Sequence, residues 1–177
     1  MTEHADALQR LIDRQAILDC IHRYCRALDR HDDELLATVF HPDAIDNHGA
    51  FVGGREEFVR WANHEVHAGL LAHQHHVTTH SCELDGDVAH TETYVLFIHR
   101  SRDDHTVVIG GGRYIDRLER RAGQWRIALR RVVMDFRVNA DGSAFGALNA
   151  YPTGTWDRGD LSYQRPLAVP GTVAPPV

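Results

Sequence analysis

Four extended segments follow one another between His73 and Val138, and only tight turns separate them. The expected strands cover residues 73–84, 88–101, 106–120 and 124–138. Each mixes β-branched and aromatic residues with polar ones, the pattern of strands in a pleated sheet. The turns are Asp85-Gly86, Ser101-Arg102-Asp103-Asp104 and Arg121-Ala122-Gly123. A parallel pair needs a crossover of about a dozen residues or more, so connections this short dictate an antiparallel meander. Gly110-Gly111-Gly112 interrupts the third strand and marks a bend or a close approach by another group. It is not a phosphate loop, because no helix follows it and neither nucleotide fingerprint fits its spacing.

Helical periodicity comes earlier in the chain. Leu8, Leu11, Ile12, Ile17, Ile21, Tyr24, Cys25 and Leu28 recur at three- and four-residue intervals, which predicts an amphipathic helix over residues 5–30. Asp13 could cap a second helical piece starting at Arg14. A short helix over 33–39 should stop at Phe40-His41-Pro42-Asp43, because proline restricts the residue before it. A short strand over 44–48 and a third helix over 56–68 complete the first half. Helices first and long strands last is the α+β pattern, with a curved sheet folded over the helices to enclose a pocket. Residues 1–138 form the domain on this reading. Residues 139–177 form an extension too rich in large apolar and aromatic side chains (Phe145, Leu148, Tyr151, Trp156, Tyr163) to be free coil. It should close the pocket mouth or lie across a neighbouring subunit, anchored by Trp156 or Tyr151.

The formal net charge of -6 disfavours nucleic acid as a partner. No run is apolar enough to span a bilayer, and the first residues lack the apolar core of a secretory signal. Three cysteines without metal-type spacing fit reduced thiols in a cytoplasm.

The chemistry concentrates in histidine, of which there are 14. His75, His76 and His80 lie on the first long strand and His99 near the end of the second. Strict alternation puts His76, His80 and Cys82 on one face and His75 and Val77 on the other. Histidines at 73, 75, 76 and 80 therefore cannot all converge on one ion. His64-Glu65-Val66-His67 has its histidines at i, i+3 rather than the i, i+4 of the zinc motif. No metal and no cofactor is expected.

The stretch Tyr24-Cys25-Arg26-Ala27-Leu28-Asp29, together with the order of elements from Leu8 to Val138, resembles the nuclear transport factor 2-like (SnoaL-like, cystatin-like) superfamily. Within it the likeness is to scytalone dehydratase, bile-acid 7α-dehydratase and hexachlorocyclohexane dehydrochlorinase. Gly111-Gly112-Arg113-Tyr114-Ile115-Asp116 through Trp125 is similar to the dehydrochlorinase. The resemblance implies a cone-shaped α+β barrel and a cofactor-independent lyase, most simply a dehydratase for an apolar cyclic carbonyl compound. It also implies a homotrimer. Asp29 would orient His76 as general base, with Tyr24 and His99 as acids or oxyanion partners. Asn47, His80 and Arg131 would line the substrate site. An isomerase or cyclase would use the same groups, and a non-catalytic binding or assembly subunit would use none of them.

Overall fold

The structure is a computed structural model that describes residues 2–103, 105–143 and 151–169. Helix α1 runs unbroken through Thr2–Asp29. Asp13 is therefore no cap. It is buried inside the helix, where its Oδ1 accepts hydrogen bonds from Trp125 Nε1 at 2.9 Å and Arg120 Nη1 at 3.0 Å. From Ile17 onward α1 buries one face, with Ile17, Cys20, Ile21 and Tyr24 fully enclosed. His31, at a positive φ of 49°, turns the chain sharply. Helix α2 (Asp33–Thr38) then starts on Asp32, whose carboxylate accepts from the Leu35 N–H at 3.0 Å.

Strands β1 (Phe40–Asn47) and β2 (Val52–Gly54) precede helix α3 (Arg55–Arg60). The expected third helix of residues 56–68 is not regular to its end. After Arg60 it widens into a π-helical segment, Trp61–Val66, and closes with a 3₁₀ turn, His67–Gly69. The long strands are β3 (Leu70–Asp85), β4 (Val88–Ser101), β5 (Thr106–Arg121) and β6 (Gln124–Asp141). They form the expected antiparallel meander within a six-stranded sheet ordered β2-β1-β6-β5-β4-β3. Among the described residues only the β1–β6 pair is parallel. The fold is α+β: a curved, unclosed sheet wraps the N-terminal helices, with the apolar core between them.

Two of the sheet's bulges decide which side chains face the site. On β3, Val77 pairs with Val95 and His80 with Thr93, so Thr78 and Thr79 together oppose Tyr94 alone. On β6, Met134 pairs with Gly112 and Phe136 with Gly111, leaving Asp135 as the extra residue. Each bulge shifts the strand by one residue and so swaps its faces. The glycine run sits at the second of these. A Cβ on Gly110 would lie 2.2 Å from the Phe97 ring, and one on Gly112 would lie 2.2 Å from the Val133 carbonyl oxygen. Close approach is thus what those glycines permit.

The described part of the extension packs on its own chain. The Trp156 ring stacks on His31 with centroids 3.9 Å apart, and the Tyr163 hydroxyl donates to Asp32 Oδ2 at 2.9 Å. Trp156 is an anchor, whereas Tyr151 is exposed. Phe145 and Leu148 lie outside the described residues. No described helix is long and apolar enough to cross a membrane.

Candidate active site

A cavity of about 290 Å³ opens between α1, the α3–β3 link and the sheet. Its lining is mainly apolar and aromatic, with Phe58, Trp61, Val95, Phe97 and Met134 among the walls. Polar groups enter from three sides: Tyr24 from α1, His48 from the end of β1, and His67, His75, His99 and Arg137 from the opposite flank and the meander. A largely apolar cavity with a few converging polar groups is the usual form of a small-molecule site.

At one side the helix-terminal carboxylate of Asp29 accepts from His75 Nδ1 at 2.7 Å and from the His75 backbone N–H at 3.1 Å. His73 Nδ1 stands 3.3 Å from the same oxygen. Burial works to raise the Asp29 pKa, and the His73 and His75 N–H groups overcome it, holding the carboxyl well below the usual carboxylate range. This ionised group offsets its unfavourable place at the helix C-terminus with charge-assisted hydrogen bonds. It also fixes the His75 tautomer, so the Nε2 lone pair is free.

His76 is not the partner of Asp29. It lies on the exposed face, where its Nε2 is 3.1 Å from Gln74 Oε1. The resemblance placed the base at His76, but upstream of the Thr78-Thr79 bulge it is the odd-numbered positions of β3 that face Asp29. Three other expected site residues stay outside the cavity. Asn47 turns back to accept from the Gly49 N–H at 3.0 Å. His80 Nδ1 bonds Thr93 Oγ1 at 2.8 Å, beyond the bulge. Arg131 is exposed beside Glu92 and Arg117 on the outer surface. Arg137 lines the cavity instead, carried inward past the Asp135 bulge.

Tyr24 and His99 do face the cavity. Burial keeps the Tyr24 pKa well above the usual phenol range, with Arg130 opposing, so the hydroxyl stays protonated. Its oxygen is 3.4 Å from His48 Nε2, and His48 Nδ1 makes a short contact with the buried Asp46. Asp46-x-His48 is thus a second Asp–His pair, and its i, i+2 spacing on a strand was the available signal for it. Burial, His75, His73 and Arg137 push the His99 pKa down to about 3, leaving a neutral ring at neutral pH. His67, from the 3₁₀ turn before β3, is likewise held neutral by burial and its histidine neighbours. No sequence signal marked it.

The SnoaL-like domain family matches residues 9–131 of the chain. No curated protein sequence matches it. Among solved structures, the hexachlorocyclohexane dehydrochlorinase LinA-type3 of Novosphingobium barchaimii superposes with a TM-score of 0.72 at 22% identity, over 80% of this chain and 99% of that one. A scytalone dehydratase-like protein of Novosphingobium aromaticivorans gives 0.68 at 23%, over 78% and 91%. A variant of Rv3472, a Mycobacterium tuberculosis protein of unknown function, gives 0.64 at 30%, over 73% and 75%.

Proposed function

The chain belongs to the SnoaL-like domain family, and on that premise we propose that it is a cofactor-independent lyase, a dehydratase acting on an apolar cyclic carbonyl compound. The observation that carries this reading is the Asp29–His75 pair at the edge of an apolar cavity. His75 Nε2 takes a proton from the carbon next to the carbonyl. The C–H electrons form the new double bond as hydroxide leaves the next carbon. Asp29 stabilises the imidazolium so formed. Tyr24, protonated at neutral pH, donates to the departing hydroxide and is reprotonated through the Asp46–His48 pair. His99, being neutral, serves as a hydrogen-bond partner rather than a proton source. An isomerase would use the same first step and return the proton at another carbon.

The test is to incubate a panel of cyclic β-hydroxyketones in D₂O with the protein and follow them by NMR. Deuterium entering the carbon beside the carbonyl, with loss of the β-hydroxyl, is the expected result. Exchange without loss of hydroxyl would point to the isomerase. A panel showing no exchange at any carbon would sink the proton-abstraction reading.

We also propose that the protein works as a homotrimer in a reducing cytoplasm. Cys20, Cys25 and Cys82 are buried free thiols. Leu8, Leu11 and Ile12 on α1 and Tyr94, Leu96 and Ile98 on β4 are exposed apolar groups of the sort a subunit interface covers. Light scattering should give three times the chain mass of 20.0 kDa. A monomer would rule the trimer out.

A further inference from the structure

The histidines at 73, 75, 76 and 80 do not all converge, because His76 lies on the exposed face of β3. The fold brings two further histidines to the cavity wall. His67 comes from the turn that feeds β3, and His99 from the neighbouring strand β4. With His75 they form a triangle of rings at the cavity wall, with centroids 5.4 Å apart for His67–His99, 5.8 Å for His67–His75 and 6.0 Å for His75–His99.

We propose that His67, His75 and His99 bind a transition-metal dication such as Zn²⁺ through one ring nitrogen each, with the fourth coordination position open to the cavity. Three observations carry this. One nitrogen from each ring lies within 4.8 Å of the other two. Three nitrogens on a tetrahedral zinc, each at ~2.0–2.1 Å from it, stand roughly 3.4 Å apart, so ion binding would draw them together by up to about 1.4 Å. His67 Nδ1 and His99 Nε2 are buried with no hydrogen-bond partner among the described residues, although buried polar atoms are normally paired. Asp29 binds His75 on Nδ1, which leaves Nε2 as the ligand atom and supplies the carboxylate partner that metal-bound histidines usually carry.

A second histidine set, His31, His67 and His73, fits less well. His31 Nε2 and His73 Nε2 are already 3.0 Å apart in a hydrogen bond to each other, and neither lines the cavity. Imidazole-only ligation with an open position suits zinc, cobalt, nickel or copper rather than calcium or magnesium.

The inference concerns binding and does not depend on the lyase reading. The two meet at His75 Nε2, which cannot hold a metal and accept a proton at once. Where both hold, the dication inhibits the lyase, and chelation restores it.

The experiment titrates Co²⁺ into chelator-treated, tag-free protein and follows the visible ligand-field bands, with Zn²⁺ competition to obtain the zinc affinity. One equivalent should bind at micromolar or tighter affinity. Asp29→Asn should weaken binding by ~10–100-fold, as loss of an outer-shell carboxylate does. His67→Gln and His99→Gln, chosen over alanine to keep the volume, should each weaken it further than that. His76→Ala should not change it. Circular dichroism of each variant checks that it is folded. Binding weaker than millimolar would overturn the proposal, as would bands that survive in both glutamine variants. Bands lost in His31→Gln but kept in His99→Gln would assign the ion to the other histidine set. Activity is not needed for any of these readouts, so a missing substrate leaves the metal test intact.

Discussion

Replacing His75 by alanine should lower kcat by ~10²–10⁴-fold, the usual worth of a positioned general base. The substrate should still bind, because the apolar walls that hold it remain. Asp29→Asn should cost a comparable amount for a different reason. The carboxylate does not touch substrate. It accepts from His75 Nδ1 and from the His75 backbone, so it sets both the tautomer and the place of the ring. An asparagine amide cannot stabilise the imidazolium, and it can present its NH₂ to Nδ1 and hold the wrong tautomer. The loss should therefore fall on kcat and leave KM nearly unchanged. His76→Ala is the control, since His76 is exposed and bonds only Gln74 among the described residues. Steady-state kinetics on the substrate found by deuterium exchange decides the matter. A His75→Ala enzyme with unaltered kcat, or a His76→Ala enzyme that is dead, would return the base to the other face of the strand.

The largest effect on stability should come from Arg130. Its guanidinium makes two bonds to Asp116, Nε to Oδ1 at 2.7 Å and Nη2 to Oδ2 at 2.6 Å, and both side chains are wholly buried. The same guanidinium lies 4.0 Å from the Tyr24 ring centroid and 4.1 Å from that of Tyr114. Arg130→Met keeps the volume but strands the Asp116 carboxylate in the core. Removing one partner of such a pair costs ~3–5 kcal/mol, because the remaining charge has lost its solvation. The double variant Arg130→Met, Asp116→Leu removes both charges and should recover most of that loss. Urea unfolding measures each. A single variant within ~1 kcal/mol of the parent would mean that Asp116 finds another partner or a proton, contrary to this account. Arg130 also supports the site, since Tyr24 faces the cavity from the ring that Arg130 packs against.

The sequence was a good guide where pattern and turn chemistry agree. Strand β4 runs through the expected residues 88–101, and Gly86 and Gly123 take the positive φ their turns require. The topology of the meander followed from loop length alone. Of the expected site groups, Tyr24 and His99 line the cavity and Asp29 meets a β3 histidine, whereas the placement was illegible where a bulge intervened. Alternation is a local rule, and one extra residue inverts it for everything upstream. Nothing in Val77-Thr78-Thr79-His80 announces that two threonines will share one partner. His67 was hidden for another reason. Its place depends on a widened helical turn after Arg60, in a stretch, Trp61–Val66, that contains neither glycine nor proline. Among the arginines of the sheet, Arg113 and Arg121 reach the exposed carboxylates of Asp135 and Asp43, whereas Arg130 is wholly buried against Asp116.

The bulge at Thr78-Thr79 gives one strand two allegiances. Upstream of it the odd-numbered positions, His73 and His75, face Asp29. Downstream the even-numbered ones, His80 and Cys82, belong to the framework that holds α1. Variation can therefore rewrite the reactive half, exchanging the groups that meet Asp29, without disturbing the residues on which the helix rests. Losing one of the two threonines would leave both halves facing as they do, because Val77 and His80 would then alternate regularly opposite Val95 and Thr93. Flattening the strand with both threonines kept would instead turn Gln74 and His76 toward the carboxylate in place of His73 and His75, without removing a single side chain.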